Sequence, residues 1–216
     1  MPYTDTTAHF DERLPAPLLG ALAAHGGTRT FPTGAILINE GDSTASVYIV
    51  LQGRVKAYAS DENGREVVLG EFGAGEYLGE LSLDGERRSV SAKAIEPTTC
   101  CVVQGAELRQ FLAEHPDFAL HLTAKLIRMV RRLTEQVKSL ALQDVYGRIA
   151  RLLTDLSDPV GETRVVRLRL TQGEIAARVG SSREMVNRVM KELTTGGYVS
   201  VKDGRHVIHR KLPAAW

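Results

Sequence analysis

The period of the hydrophobic and polar positions changes along the chain, and each change predicts a different structure. After a short apolar helix at 14–24, alternating and β-branched residues predict short strands separated by turns rich in Gly, Pro and Asp. The predicted strands are 28–31, 36–38, 47–51, 54–59, 66–72, 89–95 and 99–103. Asn63-Gly64 predicts a two-residue type I′ hairpin turn, in which both central residues need positive φ. So many short strands predict an antiparallel jelly roll.

From residue 107 the pattern becomes helical, with one break at His115-Pro116. Beyond 117, apolar residues recur at alternating spacings of four and three, which predicts a helix of about 25 residues with a heptad stripe. The stripe consists of Leu122, Leu126, Met129, Leu133 and Leu140. One small domain cannot cover so long a stripe, so we expect a second copy of the chain to pack against residues 122–140. The alternative is that the helix packs only against its own β domain.

The last part of the chain predicts a helix-turn-helix. A helix at 144–156, a polar turn at 155–163 and a strand at 164–170 precede it. Thr171 and Glu174 form a capping box at the start of its first helix. Gly180 supplies the left-handed residue of the turn, and Ser182 caps the second helix.

Four polar residues fall on the exposed face of the second helix, near its N-terminus: Arg183, Glu184, Asn187 and Arg188. Arg pairs with guanine edges and Glu accepts from cytosine, so this face is typical of a recognition helix in the DNA major groove. Any helix can carry a solvated charged face, but the capping box and the Gly turn at this spacing favour DNA binding. Strands at 199–201 and 206–208 add a wing, on which Lys202 and Arg205 suit phosphate contacts.

A second constellation lies in the predicted β domain. Gly79-Glu80-Leu81 is followed shortly by Arg88-Ser89. A cyclic phosphodiester needs a guanidinium, a hydroxyl and backbone N–H groups, and a ribose 2′-hydroxyl needs an acceptor such as Glu80. The alternative interpretation is a turn with a surface ion pair.

Charge separates the two halves of the chain. Residues 1–146 hold 14 basic and 19 acidic side chains, which gives a net charge of −5. Residues 147–216 hold 13 basic and 7 acidic side chains, which gives +6, so the net charge of +1 for the whole chain is the sum of two opposite values. The basic half contains the predicted helix-turn-helix, which suits contact with a polyanion.

Other residues narrow the class of protein. Cys100 and Cys101 are adjacent, which rules out a disulfide framework and a CxxC metal clamp, so we expect buried, unreactive thiols. The histidines are scattered and no catalytic triad or metal-ligand cluster has motif spacing, so we expect neither an enzyme nor a metal protein. The chain has no signal-peptide pattern and no apolar run of membrane-spanning length, so we expect a cytoplasmic protein that does not contact a membrane.

With these motifs in order, residues 14–212 resemble the CRP/FNR family of bacterial transcription regulators. Gly79-Glu80-Leu81 with Arg88-Ser89 looks like the family's cyclic-nucleotide cassette, and residues 140–150 look like its hinge. Residues 182–188 are similar to its recognition helix, whose Arg, Glu and Arg read TGTGA-type half-sites. The resemblance implies a homodimer on a palindromic operator, an effector nucleotide and contact with RNA polymerase through residues 155–163.

Within the family, cyclic AMP is the favoured effector, because Glu80, Arg88 and Ser89 are all present. Two cysteines cannot hold an iron–sulfur cluster, and no histidine in the sensor strands is placed as a haem ligand, so neither cofactor is expected. An ungapped alignment puts the family's adenine-contacting Thr-Ser pair on Leu133-Thr134 and its Arg on Met129, which leaves Thr134 to touch the base. Cyclic di-GMP, another ligand or no ligand remain alternatives.

The predicted fold class is α+β, with a sensor domain at 1–115, a dimerisation helix at 116–143 and a winged helix-turn-helix at 144–216. The function expected from this arrangement is nucleotide-controlled transcription regulation. The alternative from another class is a cyclic-nucleotide-binding subunit whose basic domain docks on protein.

Overall fold

The computed structural model of the chain describes residues 13–212. The two ends of the predicted domain assignment, residues 1–12 and 213–216, lie outside the described residues. The described chain forms two compact units. Within the described residues, the first unit contains 13–57 together with Gly70–Arg128, and the second contains Tyr58–Leu69 together with 129–212.

A β sandwich with flanking helices forms the N-terminal part of the described chain. The helices are α1 (Ala16–Ala23) and α2 (Gly105–Glu114). The strands are β1 (Gly27–Phe31), β2 (Ile36–Ile38), β3 (Val47–Gln52), β4 (Val55–Ser60), β5 (Glu66–Phe72), β6 (Tyr77–Leu78), β7 (Ser91–Ala94) and β8 (Thr98–Val103). They make two four-stranded sheets, ordered β1-β8-β3-β6 and β2-β7-β4-β5. The predicted jelly roll is therefore confirmed.

The alternation of side chains along β8 determines where its two thiols lie. Cys101 packs in the cluster with Val47 and Phe111, and Cys100 packs in a separate cluster with Val50 and Phe72, since successive residues of a strand point to opposite faces. Burial raises the pKa of Cys100 to about 12 and raises that of Cys101. Both thiols are therefore buried and protonated at neutral pH, as expected.

The β4–β5 turn differs from the prediction. Asn63 does not have the positive φ that a type I′ turn requires, and Gly64 alone is left-handed, at φ 73°. The Asp61 carboxylate accepts hydrogen bonds from the backbone N–H groups of Asn63 and Arg65, at 3.0 and 2.9 Å, and stabilises a longer turn. The two-residue turn with two positive φ values occurs instead in the wing, at Asp203 and Gly204, with φ of 51° and 75°.

The long helix α3 (Pro116–Leu142) has 27 residues and continues from the first unit into the second. Of the predicted stripe, Leu122 packs against the core of the first unit, whereas Leu133 and Leu140 line a cavity of about 450 Å³ in the second. The most exposed apolar stripe is the neighbouring one, in which Leu120, Ile127, Val130 and Val137 are 69, 52, 63 and 64% exposed. Leu133 and Leu140 are themselves 40 and 51% exposed, so the face that α3 leaves uncovered contains the C-terminal part of the predicted stripe together with this neighbouring one.

The second unit contains the winged domain. Its helices are α4 (Val145–Asp155), α5 (Gln172–Val179) and α6 (Arg183–Thr195). Its strands β9 (Ser157–Val160), β10 (Thr163–Val166), β11 (Val199–Lys202) and β12 (Arg205–Ile208) form an antiparallel sheet ordered β11-β12-β10-β9. Among residues 13–212, no helix is long and apolar enough to span a bilayer.

Two sequence predictions in this unit were wrong. Residues 155–163, predicted as a polar turn, contain β9 and lead into β10, because 157–160 pair with 163–166 as an antiparallel hairpin. The Arg164 side chain adds bonds to the Ser157 hydroxyl and carbonyl oxygens at 2.9 and 2.7 Å. The strand predicted at 164–170 ends at Val166, opposite Ser157, the first residue of its partner β9; the Arg167 N–H makes one further bond, to the carbonyl of Leu156 at the C-terminus of α4.

Candidate functional site

Local hydrogen bonds build the helix-turn-helix. The Thr171 hydroxyl accepts from the Glu174 N–H at 3.2 Å, and the Glu174 carboxylate accepts from the Thr171 N–H at 2.7 Å, which completes the predicted capping box. Gly180 ends α5 in the left-handed region, at φ 62°, and Ser182 begins α6 by accepting from the Met185 N–H at 3.2 Å. These bonds fix how α6 leaves α5, which determines which face of α6 is exposed.

The inner face of this motif is apolar and fully packed. Ile175 and Val179 of α5 meet Val186 and Leu193 of α6 in the core of the domain, and all four are buried. Since burying a side chain of this size contributes about 1.5–3 kcal/mol, this packing holds α6 in one orientation.

The opposite face of α6 presents the four predicted reading residues to solvent: Arg183, Glu184, Asn187 and Arg188. A hydrogen bond from its own backbone N–H and a weaker effect from the Ser182 hydroxyl hold the pKa of the Glu184 carboxyl below its usual range. The Glu184 carboxylate is therefore an ionised acceptor at neutral pH. Asn187 accepts from the Gln172 amide at 3.1 Å, a link between the two helices that the sequence analysis did not find. The helix face therefore offers two guanidinium donors beside a carboxylate acceptor, the groups that base edges require.

The wing carries the other two predicted DNA contacts. Lys202 and Arg205 are exposed cross-strand partners on β11 and β12, on either side of the Asp203-Gly204 turn. Both side chains are free to extend from the tip of the hairpin, where they suit phosphate contacts.

In the first unit, the predicted ligand cassette, Gly79-Glu80-Leu81 with Arg88-Ser89, contains a left-handed glycine. Gly79 has φ 95° and begins a 3₁₀ turn, Glu80–Asp84. A Cβ at Gly79 would lie 2.8 Å from the Ser46 carbonyl oxygen and 2.9 Å from Arg88 Nη1. Only glycine fits here, both for its backbone conformation and for the closeness of Arg88.

Arg88 is buried, and its guanidinium donates to groups of the protein itself. It donates to the Gly79 carbonyl at 2.8 Å, the Ser46 carbonyl at 2.5 Å and the Thr44 hydroxyl at 3.3 Å. Burial lowers the pKa of Arg88, while Tyr48, Asp42 and Glu80 oppose that shift. The structure thus brings Arg88 to Gly79, whereas Ser89 and Leu81 are exposed.

Glu80 is buried beside a residue that the sequence analysis missed. Its Oε1 lies 3.0 Å from the ammonium of Lys125 on α3, and the two side chains are 3% and 1% exposed. A signal for Lys125 existed in the sequence, since Phe118, Leu122 and Lys125 share one helical face on which lysine is the exception.

Thr134, the residue predicted to touch the base, lies in the second unit, whereas the other five predicted ligand contacts lie in the first. It is exposed on α3, one turn from Val130, and its hydroxyl donates to the Val130 carbonyl at 2.9 Å. It therefore belongs to the exposed stripe of this helix.

Comparison with known proteins identifies both domains that carry these residues. Residues 28–115 match the family model of the cyclic nucleotide-binding domain, and residues 147–214 match that of the Crp-like helix-turn-helix domain. The chain is 31% identical over 198 residues to the cAMP-activated global transcriptional regulator CRP of Pasteurella multocida, covering 89% of this chain and 95% of that protein. It is also 31% identical over 198 residues to the cAMP-activated global transcriptional regulator Vfr of Pseudomonas aeruginosa, covering 88% of this chain and 92% of that protein.

A solved structure shows the same fold. CLP, a c-di-GMP responsive global regulator of Xanthomonas campestris, superposes with a TM-score of 0.82 at 28% identity, over 91% of this chain and 100% of CLP. CRP and Vfr are global transcriptional regulators, and CLP is a global regulator of gene expression. With a cyclic nucleotide-binding domain followed by a DNA-binding helix-turn-helix, the chain belongs to the CRP/FNR family of transcription regulators.

Proposed function

We propose that the chain acts as a cytoplasmic homodimer that binds a palindromic, TGTGA-like operator when a cyclic nucleotide, cyclic AMP, occupies its sensor domain. The observation that carries the proposal is the pairing of buried Glu80 and buried Arg88 with left-handed Gly79, within the domain that matches cyclic nucleotide-binding proteins. The relatives CRP and Vfr, which are cAMP-activated, support the choice of nucleotide.

In the proposed complex, Arg88 and Ser89 hold the cyclic phosphate, Gly79 and Leu81 contribute backbone, and Glu80 accepts from the ribose 2′-hydroxyl. Arg88 now donates to two neutral carbonyls, and a phosphate is the stronger acceptor for a guanidinium because the hydrogen bond becomes charge-assisted on both sides. Binding would therefore redirect Arg88 from Gly79 and Ser46 to the ligand. Thr134 supplies a hydroxyl to the base.

At the operator, Arg183, Glu184, Asn187 and Arg188 face the base edges in each half-site. The remaining contacts, to phosphates and sugars, come from Thr171, Ser182, Lys202 and Arg205. Dimerisation through α3 places the two recognition helices about 34 Å apart, one turn of B-DNA. The exposed stripe of Ile127, Val130 and Val137 supports this use of the helix, because a row of apolar side chains at heptad spacing is typical of a coiled-coil contact.

The function divides the chain into a sensor domain at 1–115, a dimerisation helix at 116–143 and a DNA-binding domain at 144–216. Nucleotide binding shifts the population of dimers toward the one competent for DNA. Contact with RNA polymerase is assigned to the β9–β10 hairpin, where Pro159, Val160 and Glu162 are exposed.

Cyclic di-GMP is the second candidate effector. Leu133 and Met129 stand where the family's cyclic-AMP receptor has base-contacting polar residues, and CLP, which has the same fold, is c-di-GMP responsive. If cyclic di-GMP were the effector, it would bind more tightly than cyclic AMP.

Calorimetry of the full chain with cyclic AMP, cyclic GMP and cyclic di-GMP identifies the effector. A gel shift on a TGTGA-N6-TCACA duplex at several salt concentrations then tests coupling, with affinity expected to rise when cyclic AMP is added and to fall steeply with salt. Arg88→Leu should abolish both the calorimetric signal and the nucleotide-dependent shift, whereas Arg87→Leu, the exposed neighbour, should preserve them. If Arg88→Leu changes neither, the ligand cassette is misassigned.

A further inference from the structure

Lys125 is the lysine that the fold buries among residues 13–212. Its ammonium donates to the Tyr77 carbonyl, lies 3.7 Å from the centroid of the Tyr77 ring and 3.0 Å from Glu80 Oε1. A buried ammonium is unfavourable unless it is paired and hydrogen-bonded, and these contacts provide both. Lys125 is therefore held in one place by the strand and turn that carry the ligand cassette.

The pair with Lys125 involves only one of the two carboxylate oxygens of Glu80. Its second carboxylate oxygen, Oε2, is buried and has no hydrogen-bond partner within the described chain. A buried acceptor without a partner costs about 1–3 kcal/mol, so its retention indicates a donor that is supplied from outside. Lys125 already compensates the negative charge, and the nearby Arg88 is engaged by Gly79 and Ser46, so the missing donor is a neutral hydroxyl or N–H.

We propose that Lys125 is a positioning residue: by holding Oε1 of Glu80, it directs Oε2 to accept a hydrogen bond from the ligand's 2′-hydroxyl. Lys125 thereby sets the discrimination between a ribonucleotide and its 2′-deoxy analogue, although it does not itself touch the ligand. The inference rests on the proposed function, since it concerns the same cassette. It adds a residue of α3 to the recognition of ribose.

A purely structural lysine would behave differently from a positioning one. Its removal would lower stability and would weaken the binding of cyclic AMP and of 2′-deoxy cyclic AMP by the same factor. A positioning lysine affects only the ligand that carries the hydroxyl, so the ratio of the two dissociation constants is the informative quantity.

The test is calorimetry on the full chain with cyclic AMP and 2′-deoxy cyclic AMP. In the unaltered chain the ratio should be about 10- to 100-fold, the range for one hydrogen bond to a charged group. Lys125→Met should reduce it to less than about 3-fold, and Lys125→Arg, which retains a cation, should restore most of it. The matched control is Lys138→Met on the same helix, whose exposed pair with Glu135 is unrelated to the cassette and whose loss should leave the ratio unchanged.

Lys125→Gln serves as the second variant if Lys125→Met does not fold, because its amide can be buried without a charge, and it too should lower the ratio. A ratio that stays at its original value in either folded variant overturns the inference while leaving the proposed function standing. If the unaltered chain binds neither nucleotide, the proposed function itself is wrong.

Discussion

Replacing Gly79 by alanine measures how tightly the ligand cassette is packed. Gly79 and Gly85 are the two ends of the same 3₁₀ turn and have nearly the same backbone conformation, φ 95° ψ 3° and φ 91° ψ 0°. A Cβ at Gly85 would meet no atom of residues 13–212 within 4 Å, whereas one at Gly79 would lie 2.8 Å from the Ser46 oxygen and 2.9 Å from Arg88 Nη1. Gly85→Ala is therefore a control for backbone strain alone.

The left-handed conformation costs an alanine about 1–2 kcal/mol, which is the expected loss of unfolding free energy for Gly85→Ala. Gly79→Ala must also displace the Arg88 guanidinium from its carbonyl acceptors, and a hydrogen bond from a charged group contributes about 1.5–3 kcal/mol. The expected loss for Gly79→Ala is therefore about 2.5–5 kcal/mol.

Urea unfolding of the full chain, followed by circular dichroism, gives both free energies, and nucleotide affinity provides a second readout. Gly79→Ala should weaken cyclic AMP binding as Arg88 is displaced, and Gly85→Ala should change it little. Equal destabilisation by the two variants, within about 0.5 kcal/mol, would refute the steric argument.

Three further predictions concern the other parts of the molecule. Burial lowers the pKa of His206, so the stability that the neutral imidazole contributes is complete above pH 6.5 and is lost as the pH falls below 6.5 toward the lowered value. His206→Phe should flatten this part of the plot of unfolding free energy, measured by urea titration, against pH. The slope that one proton contributes to this plot is at most about 1.4 kcal/mol per pH unit. Val130→Asp should shift the sedimentation of the chain from dimer to monomer, and an unchanged dimer would exclude this stripe as the contact. Arg183→Ala should reduce the preference for the operator over random duplex by about 1–3 kcal/mol, whereas Lys202→Ala should weaken both complexes alike and lower the salt slope by about 1; a uniform loss with Arg183→Ala would contradict base readout.

The helix-turn-helix could be predicted from the sequence because its determinants are local. Thr171 bonds to Glu174, Ser182 bonds to Met185, and Gly180 adopts its left-handed conformation between them. Each interaction joins residues three apart, which is the distance over which a sequence motif specifies a structure. The wing was predicted for the same reason, since its turn joins adjacent strands.

Elements whose partners lie far apart in the chain could not be predicted as well. The apolar spacing of α3 indicated a long helix, but it could not show that Leu122 packs against the β domain while Val130 remains exposed. The two stripes are adjacent on the helix, so the spacing alone does not distinguish them. In the same way, alternating residues predicted a strand to 170 that ends at Val166, because a strand extends only as far as its partner, and β9 begins at Ser157, opposite Val166.

By itself, the sequence determined the α+β fold class, the order of sensor, helix and winged domain, and the residue types at both candidate sites, because periodicity, capping and turn chemistry act between near neighbours. Only the tertiary structure decided that Arg88 is held by the Gly79 and Ser46 carbonyls and that Glu80 is paired with Lys125. Those contacts join distant segments in a buried, low-dielectric environment, where a charged group requires a partner that no local pattern specifies.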